Sequence, residues 1–389
     1  MSARIDSSWI EETLVELLRS DTQVPFGETE IEAGDPRIVS VVDEVLLPRI
    51  EQLGPQEIRR HDMGDVAARF GPDGADGLLI QTYIVSQHAN LMESGVAGDV
   101  VDGTELGLEG PSALGQGASQ NKGPMAAALA GVAARPEELR RSVWLAVNTE
   151  GRSSHSGSKR VIDDLGVTAA SGIVAFGTDL RVSLGNRGRV DIEVRIPGES
   201  SHSSQPWLGR NPIEAAADVV VAARSAPVPE ADERLGPATA TPYQFACYPV
   251  APHTIPEEVR IVIDRRLLPG ETPHEAVESF RAHLGAAGLS TAEVEAGVEM
   301  FPAVVDESLP VVRALIEGVR RGGREPATFW SLNAFDAGYA CSKGIPTPMF
   351  GPGKRSFSGP GLVGTDAVAL GDCALAAQAI AHTIAELCG

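Results

Sequence analysis

The chain has 389 residues, 43% of them hydrophobic, and a formal net charge of −21. That length suffices for one large or two medium domains around a sizeable core. The strong acidity argues against nucleic acid and against anionic membranes, both of which attract Lys/Arg patches.

The N-terminal stretch MSARIDSSWIEETLVELLRS holds no apolar run of the length that a signal peptide or a membrane span needs. Ser8 and Glu11 fit a capping box that opens an amphipathic helix over 8–20. Residues 36–53 predict a second helix. GLLIQTYIV (77–85) is apolar and β-branched, as a buried strand is. KGPMAAALAGVAA (122–134) predicts a helix packed through small residues. SVWLAVNT (142–149) and SGIVAF (171–176) predict two further strands. This strand–helix alternation implies an α/β sheet with helices on its faces.

The pattern changes near 186. RVDIEVRIPGE (189–199) alternates like a half-exposed strand, and 211–226 predicts a helix with Pro at its start. A strand over 257–271 and a helix over 272–288 ending in Gly follow. The order strand–helix–strand–helix suggests a small α+β unit inserted into the larger one. After about 305 the α/β character returns, with a helix over 308–321, a strand near TPMFGPG (347–353) and a final helix over 367–387. Cys247, Cys341, Cys373 and Cys388 form no C-x-x-C pair and are expected to be reduced thiols in a cytoplasmic protein.

Five ordered segments resemble one family. GQGASQNKGPMAAAL is similar to a G-R-G-x-x-D-x-K-G loop, and EGRSSHSGSKRV to an E-G-x-E-E-x-G-S loop. GNRGRVDIEVRIPGESSHSSQPWLGRNPIEAA resembles the start of a lid domain, and TIPEEVRIVIDRRLLPGE its I-P strand. FDAGYACSKGIPTPMFGPG resembles a closing segment that ends in F-G-P-G. The family is that of the co-catalytic dinuclear zinc metallopeptidases and amidohydrolases: carnosine dipeptidase, aminoacylase, acetylornithine deacetylase and succinyl-diaminopimelate desuccinylase. The resemblance implies an α/β, phosphorylase/hydrolase-like three-layer catalytic domain over 1–186 and 305–389. It implies an inserted small α+β lid, or dimerisation, domain over 187–304, and a homodimer formed through that lid.

The chemistry of this family needs two zinc ions, held by an H-x-D, a bridging Asp, a Glu, a further acid and a late His. The metals lower the pKa of a bridging water, and a Glu beside them takes its proton. The resemblance puts the H-x-D on Tyr83 and Val85 and the bridging Asp on Gln120. The Glu–Glu pair falls on Ser153–Ser154 or Ser154–His155, and the fourth ligand on Phe176 or Asp179. The late His belongs between Gly353 and Asp372, around Leu362, and that stretch contains no His. An amide is a poor zinc ligand and Val is none. The expectation is therefore a chain without the dinuclear centre and without a cofactor. Zinc on a rebuilt site of His88, His155 and Asp179, with Glu150, is the competing expectation.

Four residues are catalytic candidates. His155 lies in a Ser/Gly loop where the family has its acids, and imidazole titrates near neutrality. Glu150 closes its strand as a possible base. Tyr83 offers a hydrogen bond in place of a ligand's charge. His202, in SSHSSQP, matches the lid His that reaches across a dimer to polarise the scissile carbonyl. The substrate-binding candidates are Gln120, Asn121, Lys122, His88, Asn211 and Arg266. The last two match positions that bind the substrate's carboxylate, which Arg can grip with two hydrogen bonds, while His253 replaces an Asn that often precedes I-P. A Ser153 or Ser154 nucleophile is disfavoured, because adjacent residues rarely aim at each other. Three functions follow from these residues. The first is a zinc-independent enzyme acting on an amide or related carbonyl of a small carboxylate-bearing molecule, by hydrolysis, condensation or cyclisation. The second is a conventional metal-dependent hydrolase, and the third a non-catalytic binding or scaffold protein.

Overall fold

The computed structural model describes residues 5–25, 31–88, 97–150, 154–354 and 366–389. Contacts divide the chain into two units. The larger runs to Gly185 and takes in Ala303–Trp330 and Tyr339–Gly389, and the smaller comprises Asn186–Pro302 and Ser331–Gly338. The 331–338 segment thus clusters with the smaller unit, where the sequence expectation has it in the larger.

The larger unit is built on a nine-stranded mixed sheet. At its centre Met349–Phe350, Ser171–Ala175, Leu78–Tyr83 and Val143–Asn148 lie side by side and parallel. Leu78–Tyr83 and Val143–Asn148 are buried along their whole length. That is why they read as continuous apolar runs and not as alternation. Val66–Phe70 and Glu57–Arg60 extend the sheet antiparallel. Pro346 and Pro348 have no N–H to donate, yet their carbonyls accept from Gly172 and Val174 at 3.0 Å each. The short 349–350 strand keeps its place through those carbonyls.

Helix Gly123–Ala133 is wholly buried up to Val132, as its small residues require. A Cβ on Gly131 would lie 2.7 Å from Ile380 Cγ2, so glycine lets helix Leu370–Cys388 approach this closely. Several expected boundaries move. The first helix is Ser7–Arg19, and its cap is Asp6, whose carboxylate accepts from Ser8 N and Trp9 N at 3.0 and 3.2 Å; no Ser8–Glu11 box forms. The 36–53 helix is interrupted by a π turn at Val42–Leu46. Pro48 begins the next turn without an N–H, and the wider turn absorbs the missing bond. Residues 367–369, expected to be helical, instead form a strand against Pro111–Leu114.

The smaller unit is a four-stranded antiparallel sheet in the order Thr239–Tyr248, Glu258–Leu267, Gly188–Pro197, Glu293–Met300. Helices Pro212–Ala223 and Pro273–Ala286 cover one face. Val190, Ile192 and Val194 meet Val259, Ile261, Ile263, Val219 and Phe280 beneath them. The two outer strands escape a sequence reading for different reasons. Pro242 interrupts the first and is tolerated because the strand is an edge. The last alternates Glu with small residues and carries little apolar signal.

Candidate functional site

In open α/β sheets, ligands collect outside the carboxyl ends of the parallel strands. Here those ends carry Tyr83, Asn148, Ala175 and Phe350, with Tyr83 opposite Asn148 in register. Tyr83 is 3% exposed, and its ring lies 6.0 Å from that of Phe176, inclined by 23°.

The loop that bears Gln120 is seated against these ends. It turns at Gly117, which is left-handed, into a π turn over Ala118–Lys122. Asp366 Oδ2 accepts from Gly117 N at 2.8 Å and Oδ1 from Ser119 N at 3.0 Å. A Cβ on Gly177 or on Gly353 would lie 1.9 or 2.1 Å from the Ser119 carbonyl oxygen, so both positions must be bare for the segments to meet. The Gln120 carbonyl accepts from Gly177 N at 2.9 Å. Its side chain is 8% exposed, and Oε1 is buried with no hydrogen-bond partner among the described residues.

Asn121 and Lys122, expected among the substrate-binding groups, are both occupied inward. Asn121 Nδ2 lies 3.1, 3.1 and 3.0 Å from the carbonyls of Tyr83, Ile84 and Val85, and so fixes the strand end. Lys122 is fully buried and donates to the Ser20 carbonyl at 3.2 Å. Burial pulls its pKa down to about 7, opposed by the nearby charges of Asp366 and Asp21. Burial also pushes Asp366 up to about 6, against its hydrogen bonds to Ser119 and Gly117 and the charge of Lys122.

His155 is 6% exposed and caps a short turn over Ser156–Lys159. That turn packs on the neighbouring strand. A Cβ on Gly157 would meet Asn148 Cβ at 2.8 Å, and Ser158 Oγ donates to Gln81 Oε1 at 2.8 Å. The His155 ring lies 5.6 Å from that of Tyr339, tilted by 53°. The Tyr339 hydroxyl donates to Asp163, which also accepts from Lys343 Nζ at 2.8 Å. Lys343 Nζ stands 5.2 Å from the centre of the Tyr339 ring.

The other candidates are placed elsewhere or otherwise engaged. Glu150 pairs with Arg160 Nη1 at 3.2 Å, and the same guanidinium grips the fully buried Asp65. Ser154 Oγ lies 2.8 Å from Ser156 Oγ and accepts from Ser156 N at 3.2 Å, a turn-forming role. Asp179 is exposed, with φ of +57°, and donates its N–H to the Gly353 carbonyl at 2.9 Å. His88 ends the Ser86–His88 strand. The side chain of His88, Ser153, and the 355–365 segment with Leu362 lie outside the described residues.

Zinc sites are built from thiolate, imidazole and carboxylate. The positions that the resemblance assigns hold a phenol, a valine, an amide, serines or one imidazole, and a phenyl ring or the single carboxylate of Asp179, which does not fit a dinuclear zinc centre. Among the described residues no three His, Cys, Asp or Glu side chains stand together as a metal-binding group.

In the smaller unit, His202 is exposed on the Ser201–His202 strand, and its ring stacks 6.1 Å from that of His253. Its Nδ1 accepts from Ser204 N at 3.2 Å. A neutral His202 ring therefore carries its proton on Nε2. Asn211 caps helix Pro212–Ala223 by accepting from Ile213 N at 3.2 Å. Arg266 is bound twice by Asp264, at 2.7 Å each.

Asp366, Asp163, Tyr339 and the Asp65–Arg160 pair escape the sequence reading. Tyr339 and Asp163 stand 176 positions apart, and neither lies in a motif whose spacing hints at the other.

Residues 184–292 match the peptidase dimerisation domain of the M20 type. Among solved structures, the M20 family metallo-carboxypeptidase Sso-CP2 of Sulfolobus solfataricus superposes with a TM-score of 0.76 at 18% identity, over 97% of this chain and 99% of that one. Human carnosine dipeptidase 1 superposes with a TM-score of 0.71 at 13% identity, over 98% and 96%. The uncharacterized protein YgeY of Escherichia coli K12 is 28% identical over 215 residues, covering 50% of this chain and 53% of that protein. The chain thus spans about half the length of the curated relatives it matches. Among the described residues no helix is long and apolar enough to cross a membrane.

Proposed function

We propose that this chain, which has the fold of the M20 peptidases and carries their dimerisation domain, is an enzyme that acts on an amide or related carbonyl bond of a small carboxylate-bearing molecule. Its own side chains stand in for the zinc pair. One observation carries this reading: Gln120, at the position where the resemblance puts the metal-bridging acid, has a buried amide oxygen with no hydrogen-bond partner among the described residues, at the carboxyl ends of the parallel strands. A buried acceptor without a donor costs about 1–3 kcal/mol. Folded proteins keep few such groups, and a ligand N–H satisfies this one.

In this reading Tyr83 and Gln120 hold the substrate by hydrogen bonds, and His155 is the acid–base group. For hydrolysis, water adds to the carbonyl carbon while His155 takes its proton. The C–N bond then breaks, and the same proton passes to the departing nitrogen. Condensation or cyclisation is this sequence run backwards. His202 is assigned the carbonyl-polarising role, for which an Nε2–H is the required donor. Arg266 reaches a substrate carboxylate only by exchanging Asp264 for it.

The partner is a second copy. The Thr239–Tyr248 edge exposes Tyr243, Phe245 and Tyr248, while the opposite edge strand carries Glu293, Glu295 and Glu299. Like charges facing one another disfavour pairing, so the aromatic edge is the one that accepts a second copy.

The test is amine release from a panel of N-acyl amino acids, N-carbamoyl amino acids and dipeptides, with chelator and with added zinc. Turnover that persists in chelator and disappears in His155→Ala supports the reading. Turnover that appears only with stoichiometric zinc would end it.

A further inference from the structure

We infer that Tyr339, anchored by Asp163 and Lys343, is the positioning residue for the His155 imidazole. The role rests on the acid–base reading of His155 given above. The geometry does not.

His155 enters the site on a turn of only four residues, Ser156–Lys159. An imidazole that moves a proton must be held in one orientation, because its two nitrogens do different work. Main-chain geometry alone does not hold it, since a His side chain has its own rotamers. A flat neighbour is Tyr339, tilted 53° to the His155 ring at a centroid separation of 5.6 Å. Tilted aromatic pairs at this separation are attractive and directional.

Tyr339 is itself fixed at its far end. Its hydroxyl donates to Asp163, on the helical turn that continues from the one His155 caps. Asp163 in turn accepts from Lys343, one turn beyond Tyr339 on the chain. The hydrogen bonds from Lys343 and Tyr339 hold the Asp163 carboxyl below the usual carboxylate range, so it remains an anion and an acceptor. The Lys343 ammonium also lies over the Tyr339 ring at 5.2 Å. The phenol is therefore gripped by its oxygen and by its ring, and its orientation is set before any ligand arrives. Tyr339 is 7% exposed, whereas Asp163 and Lys343 are partly exposed. The anchor can therefore be altered from the surface without opening the core.

The experiment uses full-length protein labelled in its histidine rings. Long-range proton–nitrogen spectra resolve the eight His residues, and the His155 signals are identified by their loss in His155→Gln. Wild type is expected to show His155 in a single tautomer with one sharp set of ring signals. Tyr339→Leu is expected to lose that single set, and Tyr339→Phe, which keeps the ring, to retain most of it. Asp163→Asn, a surface change that leaves the core intact, is expected to broaden the His155 signals while those of His274 and His382 stay unchanged. If His155 keeps one sharp, unshifted set in folded Tyr339→Leu, or in Asp163→Asn should Tyr339→Leu not fold, the positioning role is wrong. The acid–base reading fails separately, if His155→Ala retains full turnover while its ring in wild type is well ordered.

Discussion

Asp366 Oδ1 lies 3.0 Å from the Ser119 backbone nitrogen, joining positions 247 residues apart. Its second oxygen takes the N–H of Gly117. One buried carboxylate thereby closes the turn that delivers Gln120, and its charge is answered by the buried ammonium of Lys122.

That pair makes stability depend on pH in two opposed windows. Asp366 is raised from 3.8 to about 6, so the folded chain binds more protons than the unfolded chain between those values, and its stabilising contribution is lost as pH rises through the window. Lys122 is lowered from 10.5 to about 7, so the unfolded chain binds more protons in that range, and stability rises with pH there. Thermal denaturation across both windows is expected to show a fall and then a rise. Asp366→Asn should abolish the first slope and Lys122→Met the second. Parallel curves for wild type and both variants would contradict this.

Asn121→Ala leaves the carbonyls of Tyr83, Ile84 and Val85 without their shared donor. Stability is expected to drop by about 1–3 kcal/mol, the cost of stranding buried polar groups. Urea unfolding measures it. A loss within a few tenths of a kcal/mol of zero would mean that solvent replaces the amide and that the strand end is not held this way.

Gln120 separates binding from stability. Its side-chain oxygen has no partner to lose among the described residues, so Gln120→Met is expected to leave the melting temperature unchanged or raised while ligand binding or turnover collapses. Gln120→Asp puts an acid where the resemblance expects the bridging one, without changing any other expected ligand position. Metal analysis of that variant is expected to find less than one bound zinc per chain, and a full complement in the single variant would show that the remaining donors suffice.

Phe245→Glu places a charge on the aromatic edge of the smaller unit. Light scattering is expected to report a lower mass than for wild type, with the far-ultraviolet spectrum unchanged. A mass equal to wild type would move the self-association surface elsewhere.

Much of the larger unit is legible in the chain itself. Leu78–Tyr83 and Val143–Asn148 are runs of apolar and β-branched residues because both faces of those strands are covered. Gly123–Ala133 is small-residue helix because another helix lies against it. The smaller unit shows its two inner strands through their alternation, while Pro242 and the Glu-rich 293–300 stretch conceal the outer two. That Tyr83, Val85 and Gln120 are not acids or imidazoles is equally visible, since the identity of a residue needs no coordinates.

What the side chains at that site now do was not legible. Asn121 and Lys122 look like pocket residues beside Gln120, yet one ties down a strand end and the other turns toward Ser20. Glu150 looks like a base and is an ion-pair partner of Arg160. Asp366 and Asp163 lie in none of the five segments, and Tyr339 lies in the closing one without being singled out by it. Sequence determined which donors exist, because ligand chemistry is a property of residue type. Tertiary structure decided which of them are engaged, because a hydrogen bond depends on distance and direction between groups that the chain separates by tens to hundreds of residues.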